Sequence, residues 1–160
     1  MISKDDRNDR QLNTLTGASV QIKTLGSATD DRLTVIDFTE PANSSPPIFT
    51  RHEFIEVFVV TSGVLAFEFQ HAERLFLSAG DHVTCESWRP HSFWNETADA
   101  VSVTLICSPA GLDRFFIESD ELLQRSNHLT EHQLQGEMGR LRERYGLEHV
   151  GAAPIVGARN

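Results

Sequence analysis

The sequence predicts a mainly all-β fold, a small antiparallel barrel or sandwich with helices confined to its C-terminal part. Three observations carry that prediction. Between Val20 and Cys107 the chain divides into short segments with strand period, separated by turn residues at near-even spacing. Sets of short strands like these solve the exposed-edge problem by closing on themselves. After Pro109-Ala110-Gly111 the apolar spacing changes to that of helices.

Residues 1–18 are polar, with charge clustered in Lys4-Asp5-Asp6-Arg7 and Asp9-Arg10, and read as a flexible lead-in. A barrel is expected over 19–112, and a helical segment with a tail packing on it over 113–160. Residues 20–25 form a first strand closed by Gly26, and 33–38 a second, rich in β-branched and aromatic side chains. The stretch 41–47 cannot continue a central strand, because its prolines lack ladder donors. Residues 56–60 and 64–69 flank Thr61-Ser62-Gly63 and are expected to pair as a hairpin. Segments 74–77, 82–85 and 101–107 complete the strands. Residues 113–118 and 121–125 read as helical, and 130–145 as a longer helix with Thr130 and Gln133 spaced as a capping box. Leu134, Met138, Leu141 and Tyr145 give that helix an apolar stripe, expected on the barrel exterior or against a partner subunit.

The 160 residues are enough for one domain and one core. At 39% hydrophobic and 23% charged, the composition is that of a globular protein. Lys plus Arg total 14 against 23 Asp plus Glu, a formal net charge of −9. Such a chain repels phosphate backbones, which argues against nucleic-acid and anionic-membrane partners. No apolar run approaches the roughly 20 residues of a membrane span, and the first residues are not those of a signal peptide. Cys85 and Cys107 form no CxxC pair, so a reducing cytoplasm is the expected location.

Polar residues interrupt two otherwise core-like stretches, 50–63 and 80–95. Alternate residues of a strand share a face, so His52, Glu56, Phe58 and Val60 can point the same way. If Phe58 and Val60 are core, a histidine and a carboxylate project into an apolar interior. Burying them there is costly unless they pair or ligate a metal. His91 follows a tight turn and can converge on them.

At these residues the chain resembles the cupin superfamily. Its first motif runs His-x-His, then Glu, then Gly after six residues, and Glu56 and Gly63 match that last spacing. Its second runs Gly, five residues, Pro-x-Gly, two residues, His, three residues, Asn; Gly80, His91 and Asn95 fit, with Glu86 and Trp88 at the Pro and Gly positions. Pro46-Pro47 and the stretches 108–116 and 144–148 are similar to flanks of small quercetinase-like single-domain cupins. The string 52–56 also resembles the sensor cupins of arabinose-type regulators. The resemblance implies a jelly-roll barrel and a metal site, in one of two registers. In the first, Thr50 takes the first histidine position, and His52, Glu56 and His91 are a two-histidine-one-carboxylate set for Fe, Mn, Ni or Zn. In the second, Phe49 and Arg51 take the histidine positions, Arg51 points inward to pair with Glu56, and the site is metal-free.

Blander roles stand beside these. Glu56 can pair with Arg51 or Arg89, His91 can be a satisfied core histidine, and Trp88, Phe93 and Trp94 can fill the barrel mouth. Cys85 reads as a small buried hydrophobe. His71, His82, His128, His132 and His149 match no motif. Phe49, Phe58, Trp88, Phe93 and Asn95 are the candidate walls of a small-molecule pocket.

The expected function is a cupin enzyme modifying an aromatic or polyketide-like metabolite by acid–base isomerisation, cyclisation, dehydration or decarboxylation. Glu56, raised in pKa by desolvation, and His91 would move the proton, and an inward Arg51 would hold a carboxylate or enolate oxygen. The alternative is a metal-dependent quercetinase-like dioxygenase, and a third reading is a non-catalytic sensor. The missing DNA-binding segment and basic patch argue against a self-contained regulator. A homodimer is expected, with the strand at 20–25 laid on a partner's sheet.

Overall fold

Strand-period alternation becomes burial alternation in the computed structural model, which describes residues 10–156. In chain order the first elements are β1 (Gln11–Asn13), β2 (Ser19–Thr24), β3 (Thr34–Glu40), β4 (Thr50–Arg51) and β5 (Ile55–Ser62). Then come β6 (Val64–Phe69), β7 (Leu75–Ser78), β8 (His82–Cys85), β9 (His91–Trp94) and β10 (Val101–Ser108). Helices α1 (Leu112–Arg125) and α2 (Glu131–Arg144) follow, and β11 (Glu148–His149) comes last. The six-stranded sheet runs β1-β2-β3-β10-β5-β8 and the five-stranded sheet β11-β4-β9-β6-β7, with every pairing antiparallel. This is the antiparallel two-sheet barrel that the strand spacing predicts, in the jelly-roll form that the cupin resemblance implies. Its core lies between the sheets, where Ile36, Phe38, Phe58, Val60, Val103 and Leu105 from one sheet meet Leu65 and Phe67 from the other.

The expected hairpin at Gly63 does not form. β5 pairs with β10 and β8, whereas β6 pairs with β7 and β9, so Gly63 is the corner where the chain crosses between sheets. Its φ is +79°, and a Cβ there would lie 3.0 Å from both the Ala100 carbonyl oxygen and Val101 Cγ2. Positive φ and the lack of space both require glycine. Gly63→Ala is expected to cost about 2 kcal/mol. Differential scanning fluorimetry should read this as a fall in Tm of about 4–8 °C.

Other expectations at the two ends of the chain are also corrected. Of the lead-in, residues 1–9 lie outside the described residues, while Gln11–Asn13 is a strand of the main sheet. β2 is bonded on both sides, by β1 and β3 of its own chain, so it has no free edge to lay on a partner. The two short helices expected within 113–125 are one helix. Its polar middle is not a break, because Asp120 is buried and accepts from Asn13 N at 2.9 Å, from Gln124 Nε2 at 2.7 Å and from Arg10. That carboxylate ties β1 to α1.

The capping box of α2 is present: Gln133 N donates to Thr130 Oγ1, and Thr130 N to Gln133 Oε1. Its apolar stripe faces α1 rather than the barrel exterior, with Met138 and Leu141 buried and the Tyr145 hydroxyl donating to Glu118 at 2.6 Å. Together α1 and α2 lie over one end of the barrel interior. Among the described residues no helix is long and apolar enough to cross a membrane.

Candidate metal centre and its cavity

Three strands bring the site together. The residue after β4 is His52, the second residue of β5 is Glu56, and the first of β9 is His91. Each is at most 4% exposed. One oxygen of Glu56, Oε2, lies 3.0 Å from His52 Nε2 and 2.9 Å from His91 Nε2. The potential ligand atoms of the three residues lie within 4.8 Å of one another, so this cluster could hold a metal ion.

The outer nitrogen of each ring is also engaged. His52 Nδ1 is 2.9 Å from the Phe54 carbonyl oxygen, and His91 Nδ1 is 3.0 Å from that of Arg89. Each imidazole therefore sits between two acceptors, a carbonyl and a carboxylate. A neutral imidazole has a single N–H and can satisfy only one of them. Two arrangements meet the demand: a second proton on the ring, or a cation held between Nε2 and the carboxylate. Carbonyls that fix Nδ1–H and leave Nε2 facing inward are the usual outer support of metal-ligating histidines. Two imidazoles and one carboxylate, buried and convergent, fit a divalent transition-metal ion.

Burial alone would raise the Glu56 carboxyl, as the sequence reading expects. The hydrogen bonds and charge of His52 and His91 outweigh it and hold the group at about 2. Glu56 is thus a permanent anion and a weak base, which corrects the expected raised value. Burial pushes His91 down, but its contact with Glu56 prevails and raises it. Cys85 and Cys107 stand opposite Glu56 on β8 and β10, and burial followed by the charge of Glu56 pushes both thiols up. They flank one strand, roughly two strand spacings or ~9–10 Å apart, beyond disulfide reach.

The cluster opens into a cavity of about 400 Å³. Phe38, Phe93 and Leu105 line it from the barrel, and Leu112, Phe115, Phe116 and Met138 from the helices that cover it. Glu40, buried at the end of β3, adds a carboxyl that burial raises and a Ser44 hydrogen bond partly lowers. Gln135, Arg142 and His149 add polar groups from the cover.

Of the sequence-predicted site residues, His52, Glu56, His91 and Phe93 line this cavity. Arg51 does not. Thr50 and His52 face inward, so alternation turns Arg51 out, where its guanidinium bonds Glu148 of β11 at 2.7 and 2.8 Å. The structure therefore adopts the first register. Arg89 likewise makes no pair with Glu56; its guanidinium lies 3.6 Å from the Phe69 ring centroid. Phe49 is buried away from the cavity, and Phe58 packs behind Phe93 and His91. Trp88 is 47% exposed, at a turn with φ +62°. Asn95 holds a loop together, donating to the carbonyls of Pro41 and Asp99 and accepting from Thr97. Sequence reading missed the cover. Its one local sign is the Phe115-Phe116 pair at the start of an amphipathic helix.

Comparison with known proteins bears on this geometry. A cupin-domain family model matches residues 37–107, which include Glu56, Gly63, Gly80, His91 and Asn95. No curated protein matches the sequence. An RmlC-like cupin from Shewanella frigidimarina superposes with TM-score 0.57 at 14% identity, over 71% of this chain and 94% of that one. The polyketide cyclase RemF from Streptomyces resistomycificus gives 0.54 at 12% identity, over 69% and 79%. A DMSP lyase structure gives 0.51 at 19% identity, over 60% and 49%. The chain spans about half of that protein, and 39% of the DMSP lyase DddQ from Ruegeria pomeroyi. At these identities the likeness is one of fold. Residues 37–107 thus match a cupin domain, and the two-sheet barrel that contains them has the fold of the cupin structures it superposes on.

Proposed function

We propose that the chain is a cupin enzyme that modifies a small, largely apolar metabolite, with His52, Glu56 and His91 holding a divalent metal at the inner end of the cavity. The observation that carries this reading is the proton count at the cluster: two imidazoles, each between a carbonyl and the same carboxylate oxygen. Bound there, the metal would supply a Lewis acid for a substrate oxygen. The apolar walls bind and orient the substrate and exclude water around it. The cavity carboxyl outside the cluster is Glu40, whose raised pKa suits it to take or give a proton. Isomerisation, cyclisation, dehydration and decarboxylation need no more than this. A two-histidine-one-carboxylate set also suits oxygen activation, which keeps a dioxygenase as the second reading. The protein is proposed to act in the cytoplasm as a homodimer.

The test has two parts. Elemental analysis of untagged protein purified without added metal should find about one Fe, Mn, Ni or Zn per chain. Incubation with a panel of aromatic and polyketide-like carbonyl compounds in deuterated water, followed by mass spectrometry, then separates the reaction classes. Deuterium incorporation, or loss of water or carbon dioxide, supports proton-transfer chemistry. Gain of both oxygen atoms of O2 supports the dioxygenase. A protein that binds compounds and leaves their masses and exchangeable hydrogens unchanged is a sensor, and the enzyme reading is then wrong.

A further inference from the structure

The cover of the cavity carries a cation that no acidic group among the described residues neutralises. Arg142 lies on the face of α2 that presents Gln135 and Met138 to the cavity, and its side chain is half-buried there. Among the described residues no carboxylate lies within ion-pair distance of it. That is unusual in a chain with 23 acidic residues against 14 basic ones. The other described arginines and the described lysine hold an acidic partner, except Arg89, which covers Phe69, and Arg125, which bonds the Glu121 carbonyl. Neither Arg89 nor Arg125 lines the cavity. Among the described residues Arg142 is thus an unpaired cation lining the cavity, and partial desolvation there already opposes its charge. A half-buried guanidinium with no internal partner is completed by an anionic group of a ligand, which its planar fork can grip with two hydrogen bonds.

We infer that the substrate is a monocarboxylate or similar small anion with an apolar body, and that Arg142 binds its anionic end at the cover. This rests on the reading of the cavity as a substrate site and names the class of substrate. The remaining charges fix the orientation. Glu40, the carboxyl on the barrel wall outside the cluster, disfavours an anion beside it, so the carboxylate is accepted beside Arg142. The apolar body then lies among Phe38, Phe93, Phe115 and Phe116, with its other end free to approach the His-Glu-His cluster.

Isothermal titration with two matched probes, 4-phenylbutanoate and its neutral amide, tests the inference. The full chain is treated with chelator, so that the carboxylate cannot be drawn to a metal. Wild type should bind the acid about 10-fold or more tightly than the amide, the range for a charge-assisted pair. Arg142→Gln should reduce that preference to within about 2-fold and leave amide affinity unchanged. Arg142→Lys should retain part of it. Circular dichroism confirms that both variants fold, and an unchanged metal content in Arg142→Gln separates this inference from the metal reading. Equal affinity of wild type for the two probes, no binding of either at about 10 mM, or an undiminished preference in Arg142→Gln would each overturn it.

Discussion

His91→Ala is expected to lower divalent-metal affinity at least ~100-fold and to reduce turnover by a similar factor or more. The variant removes one of the three side chains that could hold a metal and one of the two hydrogen bonds on Glu56 Oε2. Glu56→Gln should do the same for a different reason: it removes the anion while preserving shape. Both variants should fold, because each side chain borders a cavity rather than sealing a packed layer. His91→Ala leaves Glu56 with His52 as its imidazole partner, a loss of about 1–3 kcal/mol that a single domain tolerates. His132 is exposed on α2, and His132→Ala should be nearly silent in both assays. Metal titration and turnover on the same preparations check the set. Full activity in both site variants would mean that the cavity only binds.

Metal-free and metal-loaded protein are expected to respond to pH in different ways. Without metal, the lowered pKa of Glu56 contributes stability above the unfolded value of 4.5, and that stability is lost as pH falls toward about 2. The raised pKa of His91 works in the other sense. Its contribution is complete below the unfolded value of 6.5 and is lost as pH rises through the folded one. Metal-free protein should therefore melt highest at roughly pH 5–6 and lose Tm on both sides. With a divalent ion the alkaline loss should shrink or vanish, since the ion takes the place of the proton and binds better as the proton leaves. Melting curves from pH 4 to 9, with chelator and with added Mn or Zn, test this. A Tm that is flat from pH 6 to 9 in chelator would refute the assigned His91–Glu56 coupling.

Local period made the barrel legible, because β3, β5 and β10 are long enough to alternate visibly. Which sheet a strand joins was not legible. The Thr61-Ser62-Gly63 turn has hairpin composition, and the decision to cross between sheets lies in contacts with Ala100 and Val101, far along the chain. β4 and β11 have two residues each, too few to show any period. The same distance effect governed the site. Spacing alone left open whether Arg51 or His52 turns inward, and the partner that draws Arg51 outward is Glu148, 97 residues away. Glu56, His91 and Phe93 could be named because a motif or a strand face marks them. Glu40, Arg142 and Phe116 could not, since they meet only when the helices fold back over the barrel.

That folding back divides the cavity between two kinds of chain. The cluster residues lie within 37–107, the stretch that matches the cupin-domain model, while Leu112, Phe115, Phe116, Met138 and Arg142 lie beyond it. Substitutions in the helices can reshape one wall of the cavity without touching the cluster, whereas Phe38, Phe93 and Leu105 build the opposite wall from the barrel itself.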